Sequence, residues 1–210
     1  MDGAAYRERL RAAKSAELDR LGSELLLPAL TDADPTARRL LEAAADSEHA
    51  AHVTFSRWAA DEPDDRAREA FAAVAARERD HRERVLDAMD GAYDPNDGGP
   101  LHEYLRGREG AVLRIAAGTA GRGLVADRTH SRLVSFFVDA GDRRRANLFR
   151  ELRRETEAGT RRGLGLLEAL CDSDDDWADA SAVAEYTVQV AYDDYADALR
   201  GMGVDPASAP

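Results

Sequence analysis

The chain has one cysteine, Cys171, and one lysine, Lys14, among 210 residues. A single thiol excludes a disulfide framework and any metal site built from paired CxxC motifs. Cys171 reads as a small buried hydrophobe. Aromatic residues amount to 6%, and no stretch approaches the ~20 consecutive apolar residues of a spanning helix. Residues 1–14 carry acids and arginines where a targeting signal would be apolar. The sequence therefore predicts no membrane association and a cytoplasmic protein. Basic charge is also short: the formal net charge is −12. Phosphate binding needs a basic face, and the runs Arg143-Arg144-Arg145 and Arg153-Arg154 are surrounded by acids, so nucleic acid is not an expected partner.

What is present is a 44% hydrophobic content, enough for a core, and 41 acids of which 25 are aspartate. Carboxylates this dense, set against arginine with almost no lysine, describe a salt-adapted, halophilic surface more than a function. Gly and Pro cluster at a few points, and the stretches between them carry the 3.6-residue apolar period of helices. The expected class is all-α.

The periodicity and its start and stop signals predict helices over residues 6–27, 35–60, 65–89, 101–106, 110–139, 143–170 and 177–199. Asp34 is the expected N-cap of the second, with Pro35 at its first position. The first is expected to break at Pro28, and residues 201–210 are expected to fray. Gly118, Gly121 and Gly123 lack the strand and spacing of a phosphate loop, and point to close helix packing. The four long central helices make two hairpins, turning near Pro63 and Gly141, joined by a long connection. Residues 1–33 form an N-terminal helix packed on this 34–171 bundle, and residues 172–210 form a C-terminal helix and tail.

Ionisable residues interrupt the apolar stripes. Glu48 and His52 fall on the stripe of Leu41, Ala44, Ala51, Phe55 and Trp58. Glu78 and His81 fall on that of Phe71, Val74, Val85 and Met89. The pair Glu78-Arg79-Asp80-His81 is an ExxH, whose i and i+3 positions share a helix face and can reach one metal. In an antiparallel hairpin, residues equally far from the turn are level, and Glu48 and Glu78 each lie fifteen residues from Pro63, roughly 22 Å along the axis. In the second hairpin Asp127 and Glu155 each lie fourteen residues from Gly141, and His130 follows Asp127 at i+3. The expected site is thus Glu48, Glu78, His81, Asp127, His130 and Glu155, with His52 as a ligand, a ligand's partner or a satisfied core histidine. His49 and His102 read as surface residues. Tyr186, Tyr192, Tyr195 and Trp58 read as packing.

These residues resemble the ferritin-like superfamily, and within it the rubrerythrins, over residues 36–170. The resemblance implies a four-helix bundle whose di-iron or di-manganese centre takes single glutamates from two helices and a Glu-x-x-His from each of the others. Glu48 matches the single Glu of the first helix, Glu78 and His81 the Glu-x-x-His of the second, and Glu155 the Glu of the fourth. The third helix has no glutamate, leaving Asp127 in its place, and the fourth lacks its histidine, leaving His130 on the neighbouring helix as a replacement. No rubredoxin-type iron site is possible with one cysteine.

The implied function is binding of one or two iron or manganese ions in oxidative-stress or metal handling. If enzymatic, it would be a peroxidase or oxidoreductase using peroxide or oxygen and a separate electron donor. The expected assembly is a homo-oligomer, a dimer. The alternative is a non-catalytic helical bundle that has lost the centre and serves as an interaction or regulatory module.

Overall fold

The computed structural model describes residues 1–206. In chain order it contains α1 Gly3–Ala13, α2 Ser15–Leu21, α3 Leu26–Ala29, α4 Ala37–Asp61, α5 Asp65–Asp87, α6 Pro100–Arg106 and α7 Ala111–Ile115. A π-helical segment, Ala116–Gly121, then leads into α8 Arg122–Asp139, α9 Arg143–Leu170 and α10 Asp174–Gly201. No strand occurs among the described residues, so the class is all-α.

Side-chain caps set where the long helices begin. Thr36, Asp64, Asp142 and Ser173 each accept a hydrogen bond from the backbone N–H three residues on, satisfying a donor the helix itself cannot. At Ser173 the bond is reciprocated, because Asp176 accepts from the Ser173 N–H, and this starts α10 three residues earlier than the apolar period indicates. The cap of α4 is Thr36 where Asp34 was expected, since Pro35 lies outside the helix. The turn from α8 to α9 closes on Gly141, at φ +72°, with Asp142 N–H bonded to Phe137 O and Gly141 N–H to Val138 O. That pairing is the Schellman arrangement, and it reverses the chain within three residues.

Helices α4 and α5 form one hairpin and α8 and α9 a second, and α5 packs against α9. One apolar cluster, around Leu40, Leu41, Val85, Leu133, Phe137 and Phe149, fills the end near Gly141. The other, around Phe55, Trp58, Phe71, Ile115 and Leu167, extends outward to Tyr6, Leu10, Trp177 and Val188. Buried ionisable residues lie between them. The N- and C-terminal helices therefore share one core with the hairpins, and α10 lies along the π-helical segment.

Glycines let α4, α10 and α9 approach this part of the chain closely. A Cβ on Gly118 would lie 2.6 Å from Trp58 Cζ3, on Gly121 2.7 Å from Thr187 Cβ, and on Gly123 2.5 Å from Thr160 Oγ1. The close packing expected of this glycine run is what the structure has, with a π turn where an unbroken α-helix was expected.

Two other expectations need correction. The first helix is three short ones: it bends at Lys14 and turns between Gly22 and Leu25, and Pro28 lies inside α3, where its missing N–H costs nothing in so short an element. The C-terminal segment does not fray from residue 201: Met202 and Val204 pack on the core and Arg20 bonds the Pro206 carbonyl. Residues 207–210 of the expected frayed tail lie outside the described residues.

Candidate metal centre

Capped at Thr36 and Asp64, the first hairpin brings Glu48, Glu78 and His81 inside the protein with ligand atoms all within 4.8 Å of one another. Their relative exposures are 3%, 0% and 0%. Unpaired carboxylates would be costly at that depth, so the surroundings of each decide what the site can do.

Glu78 is held by two guanidiniums. Arg122 Nη2 lies 3.1 Å from its Oε2 and Arg77 Nη2 2.5 Å from its Oε1. Arg122 also approaches Glu48, Nη2 to Oε2, at 3.8 Å. It enters from the start of α8, buried between Gly121 and Gly123, and Arg77 lies over Gly159, where any Cβ would collide with it. Burial disfavours a charged Arg122, but Glu78 and Glu48 more than offset this and raise its pKa.

Glu48 accepts from or faces two histidines. His130 Nε2 lies 3.3 Å from Oε1, and His81 Nδ1 lies 3.7 Å from Oε2. Burial by itself would raise the Glu48 pKa. Contacts with Glu78, His130 and His81 outweigh it and hold the carboxyl well below its ordinary range. His81 is fixed from its other side, with Nε2 2.8 Å from Glu155 Oε2. Burial would lower the His81 pKa, but Glu48, Glu78 and Glu155 together raise it. Glu155, more exposed, also accepts from Arg84 at 3.1 Å, and these partners lower its pKa against the effect of burial.

The carboxylate of Glu155 can only accept, so the proton on this edge of the ring sits on Nε2. In the neutral imidazole Nδ1 then carries the lone pair, and it faces Glu48 Oε2. Neither atom has a hydrogen-bond partner, although both are buried. A buried oxygen and nitrogen facing each other without a hydrogen bond to either, with a carboxylate orienting the ring from behind, is the arrangement a carboxylate and imidazole metal site uses. The residues fit a metal ion.

The second hairpin contributes less than expected. Asp127 does not reach the cluster; it pairs with Arg153, Oδ1 to Nε 2.7 Å, at a half-buried edge. Distance from a turn fixes a residue's height along the bundle and leaves its direction open. His130, Leu133 and Phe137, at i, i+3 and i+7, are the buried side of α8, and Asp127 lies off it. His130 does join the cluster, through Glu48. Glu155 acts on His81 and not as one of the close trio. His52 is outside: its Nδ1 bonds the Ala75 carbonyl at 2.9 Å and ties α4 to α5.

Two groups buried beside the cluster, Arg122 and His102, are not marked as interior by the sequence. Arg122 had a visible signal, since it is the one charged residue in the twelve residues 115–126. His102 was assigned to the surface but is 5% exposed, and burial beside Arg122 and Arg106 pushes its pKa down to about 3. Its position in a seven-residue helix gives too little periodicity to show a face. Trp58 is packing, as expected, with ring centroids 5.0 Å from Phe55 and 5.4 Å from Phe71.

A cavity of about 470 Å³ reaches this cluster from the side bounded by α4, α8 and α10. Glu48, His102, Arg122 and His130 line its inner part, and Leu21, Leu26, Leu40 and Leu133 its apolar walls. No helix of the described residues is long and apolar enough to cross a membrane. Comparison with known protein families, curated proteins and solved structures finds no match for this chain.

Proposed function

We propose that this protein is a rubrerythrin-like, ferritin-like bundle that holds one iron or manganese ion at Glu48, Glu78 and His81. The observation that carries the reading is the facing pair of buried ligand atoms, Glu48 Oε2 and His81 Nδ1, 3.7 Å apart and with no hydrogen bond to either. Mixed carboxylate and imidazole donors suit iron or manganese better than metals that prefer thiolate. Two hairpins joined by a long connection through α6 support the reading.

The roles of the chain's own residues follow from their contacts. Glu155 accepts from His81 Nε2 and keeps Nδ1 turned inward. Arg122 and Arg77 balance the charge of Glu78 from two sides. His130 takes the remaining oxygen of Glu48. Among the described residues a second ion has no comparable donor set, and Asp127 is committed to Arg153. The expected centre is therefore mononuclear. A bound ion would supply redox cycling with peroxide or oxygen, and the electrons would come from a separate donor.

A second reading rests on Arg122. Its guanidinium touches both Glu48 and Glu78 and is a cation the chain carries permanently. On that reading the bundle has exchanged its metal for an arginine and works as a non-catalytic interaction or regulatory module. Elemental analysis of wild type and Arg122→Gln, each loaded with Fe(II) and Mn(II) and then dialysed, separates the two. The metal reading expects an ion in the wild type. The arginine reading expects one only in the variant.

A further inference from the structure

The cavity beside the centre has a composition that selects a ligand. Four carboxylates line it, Asp32, Asp46, Glu48 and Asp194, against one cationic side chain, Arg122, which Glu78 and Glu48 already occupy. Asp32 and Asp194 are exposed, and no hydrogen bond or ion pair holds either among the described residues. Asp46 accepts from Tyr93 and Asn96, both neutral donors. The outer part of the cavity is thus anionic with no counter-charge. Behind it lie Leu21, Leu26, Leu40 and Leu133, all buried.

Acidity alone would mean little on a chain with 41 acids. The independent observation lies at the inner end, where His102, 95% shielded, lines the cavity with its Nδ1 unpartnered. Buried polar groups are normally satisfied. His102 is a neutral imidazole there, so it offers a hydrogen bond and no charge. An anion entering this space would meet carboxylates first and find no free cation. The volume of about 470 Å³ lies within the range of small-molecule sites, which combine apolar walls with a few placed polar groups.

We propose that this cavity binds a small organic ammonium, its apolar body against Leu21, Leu26, Leu40 and Leu133 and its cationic head among Asp32, Asp46 and Asp194.

The test uses three probes with nearly the same body: 2-phenylethylammonium, 2-phenylethanol and 3-phenylpropanoate, titrated into the intact protein by calorimetry with metal content measured on the same samples. The expected result is saturable one-to-one binding of the ammonium, weaker binding of the alcohol and none of the carboxylate. The double variant Asp32→Asn/Asp194→Asn changes two exposed residues and should keep its fold; it should bind the ammonium roughly three- to tenfold more weakly. Ala126→Leu, which fills part of the cavity, should weaken the ammonium and the alcohol alike. No saturable ammonium binding, equal binding of the carboxylate, or ammonium binding indifferent to both variants overturns the proposal. The metal reading stands or falls on the metal content, so the two outcomes are read separately.

Discussion

Arg122 Nη2 lies 3.1 Å from Glu78 Oε2, and the two side chains are 5% and 1% exposed. This buried pair sets the charge balance of the candidate centre. Removing the arginine leaves Glu78 with Arg77 alone and Glu48 without a guanidinium. Breaking a buried pair from one side costs about 3–5 kcal/mol. Arg122→Leu is therefore expected to lower stability by about that amount in chemical denaturation, and added Mn(II) should restore part of the loss by supplying a replacement cation. A variant as stable as wild type would show that the pair does not carry this balance.

Metal uptake should release protons. His81 must present a neutral Nδ1 to an ion, and its carboxylate neighbours Glu48, Glu78 and Glu155 raise its pKa, so below that raised value an ion has to displace a proton from the ring. Affinity for Mn(II) should rise with pH through that raised value. About one proton should appear per ion bound in weakly buffered solution, read with a pH indicator. Glu155→Gln, which removes a carboxylate that raises the His81 pKa, should shift the profile to lower pH.

The pH dependence of stability isolates His102. Its folded pKa is about 3 against an ordinary 6.5, so the unfolded chain takes up a proton from pH 6.5 downward that the folded chain refuses. The stabilisation is complete above 6.5 and is lost as pH falls toward 3. His81 has the opposite sign, and its contribution is already complete below 6.5. The lowered carboxyls Glu48 and Glu155 contribute stability above 4.5 and lose it below. Between pH 6.5 and 4.5 the slope attributable to His102 is about 1.4 kcal/mol per pH unit. Denaturant melts should show it in wild type and find it absent in His102→Gln. An equal slope in both proteins would contradict the burial of His102.

Gly118→Ala tests the packing of the π-helical segment against α4. The added methyl would meet Trp58 Cζ3 at 2.6 Å and Phe55 Cζ at 2.8 Å, two rings fixed in an aromatic cluster. Overpacking of this kind costs about 1–3 kcal/mol. Gly165→Ala, on α9 with nothing within 4 Å of the new methyl, is the control and should be neutral or mildly stabilising. Equal effects of the two would show that α4 and the π-helical segment do not meet as described.

The helices are legible because apolar period and caps act locally: the period places a helix over 143–170, as found, and α10 begins three residues before its apolar period because a Ser173–Asp176 box replaces apolar contacts. The first hairpin's part of the site was legible for the same reason, since Glu48, Glu78 and His81 interrupt their own apolar stripes. What failed depended on direction across the bundle. Asp127 and Arg122 share one helix, and hydrophobic spacing favoured neither for the interior. The glycines at 121 and 123 that flank Arg122 admit Thr187 and Thr160 of the neighbouring helices, and they read in sequence as packing without marking the arginine between them. A long arginine can also reach a site from a level its backbone does not share.

The most direct test is metal stoichiometry. Protein loaded anaerobically with Fe(II), dialysed and subjected to elemental analysis should retain about one ion per chain. Retention should be lost in Glu48→Gln and His81→Ala and kept in Asp127→Asn, whose carboxylate faces Arg153. A wild type that retains no ion under these conditions, while Arg122→Gln does, would contradict the metal centre and leave the arginine as its permanent occupant.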